Sequence, residues 1–208
     1  MKFDQLIETT RNETREVGGY FEICGANRTI SFVKTVDARR NVSTGREYVD
    51  LPSGTHAFLW HYHPLAAGFW PSFEDLMLSF PNTGKPFPCY VNLIVTPYGT
   101  WVFDGLCKFE KPNNNRRMIE ALFGRWSKFH EFMTKATQLK GWDNAQVQRV
   151  VEEFRYDLFK WFGYRITFID NGLFRRDITH HTYVREVLDY IRYVTTRLQG
   201  QTSQTCRN

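Results

Sequence analysis

Cysteine is scarce and scattered: Cys24, Cys89, Cys107 and Cys206 are the only four, and no two form a C-x-x-C pair. That spacing argues against a disulfide framework and against a cysteine-type zinc site, and it fits reduced thiols. Long apolar runs are missing as well. Nothing approaches the roughly 18–20 consecutive apolar residues that a membrane helix requires. The opening stretch mixes acidic and basic side chains and lacks the apolar centre of a signal peptide. A soluble, intracellular protein with no membrane partner is expected, cytoplasmic or nuclear, or carried in a virion if the chain is viral. In that setting the N-x-[ST] sequons at Asn12, Asn27 and Asn41 are chance matches.

Blocks of like charge are absent too. The net charge is +5, yet the densest basic spots are the dipeptides Arg39-Arg40, Arg116-Arg117 and Arg175-Arg176. A basic balance of this size suits nucleic acid, an anionic surface or an acidic protein. Without a concentrated patch, nucleic acid is not an expected partner. Internal repeats and low-complexity tracts do not occur. What the chain has in quantity is rings: 18 Phe, 10 Tyr and 6 Trp make 16% of 208 residues. Large rings supply buried area, and Tyr and Trp keep a polar handle for surfaces and clefts. The length suffices for one domain with a full core, or a core with an extension.

Periodicity divides the chain into two textures. Phe3, Leu6 and Ile7 mark a short opening helix within residues 3–14, and Gly18-Gly19 is expected to break the pattern. Tyr20 to Cys24 and Thr29 to Val36, rich in β-branched and aromatic residues, flank the turn signal Gly25-Ala26-Asn27 and predict a hairpin. Residues 37–54 are polar and loop-like. HAFLWHYH, His56 to His63, suits a buried central strand that Pro64 stops. SFEDLMLSF predicts a short helix, Pro81 to Pro88 a loop, and Tyr90–Thr96 with Thr100–Phe103 a second hairpin around Pro97-Tyr98-Gly99. Beyond Lys111–Asn115, residues 116–139 and 144–162 carry helical spacing, with Val147, Val151, Phe154 and Leu158 on one face. Tyr164–Ile169 reads as a strand, Thr179–Leu198 as a last helix, and the polar tail after Gly200 as loose. The expected fold is α/β (α+β): a twisted mixed sheet flanked by helices over residues 1–112. A helical portion with one strand, residues 113–208, packs on that core.

The stretch HAFLWHYHPLAAGFWPSFED carries the chemistry. His61 and His63 stand two apart at a strand end, and alternate residues of a strand share a face, so both imidazoles can reach one ion. Zinc accepts imidazole nitrogen and carboxylate oxygen, and its catalytic sites use three protein ligands. Asp75, at the start of the next helix, is the natural third ligand. Ser72-Phe73-Glu74-Asp75 also fits a capping box, in which serine and acid close the first turn reciprocally. The two roles of Ser72 are compatible. Other H-x-H families fit badly. A metallo-β-lactamase needs Asp and His where Leu65 and Ala66 stand, a cupin needs a following Glu, and H-E-x-x-H does not occur.

In order, HYHP and PSFED resemble the JAMM (JAB/MPN-plus) zinc metalloprotease motif, in which H-x-H-P precedes S-x-x-D and a glutamate lies far upstream. Arg15-Glu16-Val17-Gly18-Gly19-Tyr20-Phe21 is similar to the family's segment around that glutamate, which makes Glu16 the candidate. The resemblance covers roughly residues 3–105. It implies an MPN/cytidine-deaminase-like core, a Zn2+ cofactor on His61, His63 and Asp75, Glu16 as general base and Ser72 as oxyanion donor. It further implies hydrolysis of isopeptide or peptide bonds in a protein substrate, often a ubiquitin-like conjugate. The chain departs from the family in carrying Tyr62 between the histidines and a Pro64–Pro71 spacer one residue longer than usual. Glu22 and Glu47 are rival bases. Tyr62, Phe69 and Trp70 either wall a substrate groove or pack the loop, and His180-His181 belongs to polar surface. The alternative function is a non-catalytic MPN-type assembly subunit of a large complex, with a partner subunit on the C-terminal helices.

Overall fold

The computed structural model describes residues 1–24, 28–37, 39–40, 47–49, 51, 58–64, 70–78, 91–104, 116–138, 144–162, 165–172 and 177–205. The expected turn at Gly25-Ala26-Asn27, the loop Pro81–Pro88 and the linker Lys111–Asn115 lie outside them. The elements run α1 (Phe3–Thr10), β1 (Val17–Cys24), β2 (Thr29–Asp37), β3 (Arg39–Arg40), β4 (Glu47–Tyr48), β5 (Phe58–Tyr62), α2 (Phe73–Leu78), β6 (Val91–Thr96) and β7 (Gly99–Asp104). They continue with α3 (Arg116–Gln138), α4 (Asn144–Phe162), β8 (Arg165–Asp170) and α5 (His180–Thr205). Six strands form one mixed sheet in the order β2-β1-β5-β6-β7-β8, and β3 pairs with β4 apart from it. Every ladder in the large sheet is antiparallel except β5–β6.

Helices cover both faces of the sheet. On one side Phe3 and Leu6 of α1 and Tyr183, Val187, Ile191 and Val194 of α5 pack on Phe21, Trp60, Tyr62, Leu93 and Val95. On the other, Leu76 of α2, Leu122, Phe129 and Met133 of α3 and Val147, Val151, Phe154 and Leu158 of α4 cover Ile94, Trp101, Phe103 and Ile166. Spacings of three, four and seven along α3 and α4 put those residues on one stripe. The Phe129 and Phe154 rings, stacked nearly parallel with centroids 4.1 Å apart, join the two helices. Because helices cover both faces, β6 and β7 are buried at every position, and Val91, Leu93, Ile94, Val95, Trp101, Val102 and Phe103 fill most of them. Each large side chain taken out of water there stabilises the fold by about 1.5–3 kcal/mol.

Three expectations are corrected. Gly18 and Gly19 do not end a pattern but lie inside β1, at a register shift against β2. A Cβ on Gly19 would overlap the Val33 carbonyl, and one on Gly18 would stand 2.6 Å from Leu51 Cδ2. Glycine is therefore needed for close approach of neighbouring chain, not for a turn. Residues 37–54 include the short β3–β4 pair. Finally, α5 continues through the region expected to be loose and ends at Thr205. The last strand, β8, pairs with β7, so residues beyond 112 complete the same sheet rather than a separate layer.

Candidate metal centre

The site sits where the fold changes direction. Among the described residues β5 and β6 are the only parallel neighbours in the sheet, so the chain must leave the carboxyl end of β5, cross over and return. α2 lies in that crossover. In open α/β sheets such carboxyl ends are where ligands collect. β5 delivers His61, and His63 follows just past it, with the His63 amide still bonded to the Val95 carbonyl at 2.9 Å. Since β1 runs antiparallel to β5, with Val17 opposite Tyr62 and Gly18 opposite His61, the residue before β1 lands beside His63. That residue is Glu16.

Asp75 comes from the first turn of α2. Its Oδ2 accepts the Ser72 amide at 2.7 Å and its own amide donates to Ser72 Oγ at 3.1 Å, so the capping box expected from S-x-x-D is formed. The loop before it is held by the C-terminal portion: Trp126 of α3 donates Nε1–H to the Pro71 carbonyl at 2.9 Å. Trp70 packs edge-on against His130 of the same helix.

These supports bring His61, His63 and Asp75 together as a buried cluster of ligand atoms. His61 Nε2 lies 3.1 Å from His63 Nε2 and 2.9 Å from Asp75 Oδ1, and His63 Nε2 lies 3.4 Å from Asp75 Oδ2. Nitrogen and oxygen ligands about 2.0–2.1 Å from a tetrahedral zinc ion stand roughly 3.3 Å from one another. Separations of this size are compatible with one metal ion. Glu16 Oε1 is 3.9 Å from His63 Nε2, at the edge of the cluster, and its side chain is 19% exposed, against 7% or less for His61, His63 and Asp75.

The charge state follows from the same contacts. Burial pulls His61 down, but the charge and hydrogen bond of Asp75, with Glu16 behind it, leave its pKa raised. Burial takes His63 down to about 4, with Asp75 opposing and the charge of His61 adding. Burial disfavours the Asp75 carboxylate too, yet the two imidazoles and the Ser72 amide hold it well below the ordinary carboxylate range. An ion bound to the Nε2 atoms would compete with protons for those nitrogens.

The other residues singled out in the sequence separate clearly. Tyr62 points to the opposite face and is buried in the α1–α5 core, because alternate strand residues face opposite ways; it does not wall a groove at the site. Phe69 lies outside the described residues. Glu22 is exposed on β1, and His180 and His181 are exposed at the start of α5. Asn92 of β6 went unnoticed in the sequence. It is fully buried, with neither amide atom paired, on the face that carries His61. Its only sequence signal is a polar residue near the head of the apolar run VNLIVT.

No family model, no curated protein and no solved structure matches the chain significantly. The class defined by fold and site is a mixed α/β protein with a six-stranded sheet and a buried His-His-Asp group able to hold a metal ion. Among the described residues, no helix is long and apolar enough to cross a membrane.

Proposed function

We propose that the chain is a zinc-dependent hydrolase of the JAMM kind, cleaving isopeptide or peptide bonds in a protein substrate, with ubiquitin-like conjugates as the substrate class. The observation that carries this reading is the buried triangle of His61, His63 and Asp75 with Glu16 at its edge. Zinc bound to those three side chains would supply a Lewis acid that brings the pKa of a water ligand toward neutrality. Glu16 takes a proton from the attacking water and returns it to the leaving amine nitrogen. Its partial exposure lets it face both solvent and substrate. The Ser72 hydroxyl donates to the oxygen of the carbonyl under attack. It has that proton to give, since in the cap it accepts from the Asp75 amide. Asp75 orients the pair of imidazoles, and the cap in turn orients Asp75.

An assembly role for the same fold has one observation in its favour. Ile119 and Phe123 on α3 and Tyr156 and Phe159 on α4 are large apolar side chains left in the open, where a partner subunit would cover them.

Purified protein is expected to carry about one zinc per chain. That zinc should be lost in a double variant His61→Ala/His63→Ala, and the native protein should cleave ubiquitin-like conjugates in a metal-dependent reaction. Absence of zinc binding defeats the hydrolase reading. Zinc binding without cleavage of conjugates or peptide libraries defeats the substrate class and leaves a metal-bearing scaffold.

A further inference from the structure

β6 brings a side chain to the metal cluster that none of the roles above uses. Asn92 is 0% exposed, and among the described residues neither its Oδ1 nor its Nδ2 has a hydrogen-bond partner. An amide taken out of water with both ends unpaired is costly, and a fold tolerates it where a further group completes the bond. Register identifies the candidate group. In the parallel β5–β6 ladder Asn92 stands opposite Leu59, and Ile94 opposite His61. Paired positions and alternate residues share one face, so Leu59, His61, Asn92 and Ile94 all project to the same side of the sheet. Asn92 is therefore the diagonal neighbour of His61, within reach of its ring.

His61 has an atom to offer. Its Nε2 is turned toward His63 and Asp75, and its Nδ1 is buried and unpartnered. Two orphaned polar groups thus occupy adjacent positions in one dry pocket.

We infer that Asn92 is a positioning residue for His61: its Oδ1 accepts Nδ1–H, which fixes the ring and leaves the Nε2 lone pair free for the metal. This rests on the metal reading above. Ligating histidines commonly hand their second ring N–H to a carboxylate or carbonyl acceptor, which sets the tautomer. Here a neutral acceptor suits the surroundings. Asp75 and Glu16 already bring two carboxyl groups to the cluster, and a third would add repulsion in a buried space.

Three measurements on the full chain test the assignment. Asn92→Leu removes the acceptor at similar volume, and Asn92→Asp keeps it. The leucine variant is expected to melt at or above the native temperature in chelator, because two unpaired polar atoms leave the core. Its zinc dissociation constant, read by chelator competition, should rise about 10–100-fold. The aspartate variant should recover most of that loss. In zinc-loaded protein, 1H–15N spectra should show a slowly exchanging His61 Nδ1–H, and the leucine variant should exchange that proton faster. Equal zinc affinity in native and Asn92→Leu protein overturns the inference, as does a His61 Nδ1–H that exchanges equally fast in both. If the native chain binds no zinc, the metal reading fails and this inference with it; zinc binding that Asn92→Leu leaves equal defeats the inference alone.

Discussion

Adding zinc to chelator-stripped protein tests the site through stability, independently of any substrate. The ligand atoms converge only because β5, β1 and α2 are assembled, so the unfolded chain offers no comparable triangle. An ion that binds only the folded state stabilises it by RT ln(1 + [L]/Kd), about 2.7 kcal/mol at a hundredfold excess over Kd. For a chain of this length each kcal/mol moves Tm by about 2–4 °C, so a rise of about 5–11 °C is expected. Proton competition adds a second signature. Burial is the largest single effect on His61 and lowers its pKa, but Asp75, Glu16 and Asn92 together leave it raised. Zinc competes with protons for the imidazole, so the rise in Tm should shrink as pH falls from about 8 to about 6. His63, held at about 4, does not compete in that window. Differential scanning calorimetry across zinc concentration and pH provides the assay, with His63→Ala as the control that loses the shift. A Tm unmoved by zinc, a shift surviving in the double variant His61→Ala/His63→Ala, or a shift that grows with acid would each refute the reasoning.

Further predictions follow from particular contacts. Glu16→Gln should cut the hydrolytic rate by about 10²–10⁴ with zinc content unchanged, measured by conjugate cleavage beside metal analysis; lost zinc would instead make Glu16 a ligand. Ser72→Ala removes the acceptor for the Asp75 amide and should cost about 0.5–2 kcal/mol in denaturant titration, with or without zinc. Gly19→Ala drives a methyl group into the Val33 carbonyl and should destabilise by about 1–3 kcal/mol, seen as a lower urea midpoint. Asp104, whose pKa burial raises to about 7 against the pull of Arg165 and Arg197, binds its proton more tightly folded than unfolded. Its contribution is therefore present at low pH and lost as pH rises between about 4 and 7. Asp104→Asn should flatten that limb of Tm against pH, and an unchanged profile would show that the carboxyl is not the group responsible.

Much of this site was legible in one dimension, and the reason is local. An H-x-H pair at a strand end shares a face whatever the strand pairs with, and S-x-x-D closes a first turn from four consecutive residues. Both features depend on neighbours in the chain, and both stand where the pattern placed them. The helical stripes of α3 and α4 and the β6–β7 hairpin were readable on the same ground. The apolar run ending in His63 likewise marked a buried strand, and β5 is buried at four of its five positions.

Tertiary structure decided what depends on distant residues. Gly18-Gly19 looks like a break until β2 lies alongside, when the Val33 carbonyl leaves no room for a Cβ. Tyr62 was left between a groove wall and loop packing, and alternation along β5 sends it into the α1–α5 core instead. That β8 extends the sheet past residue 112 follows from its pairing with β7, and no periodicity within either strand specifies a partner. The approach of Glu16 to His63 was suggested by family likeness and comes about through antiparallel pairing of β1 with β5. Asn92 is the clearest case. Within its own segment it is one polar residue among apolar ones, and only the parallel register with β5 sets it beside His61. Periodicity is written into each segment by its own side chains, whereas the identity of a segment's neighbour is a property of the whole packed core.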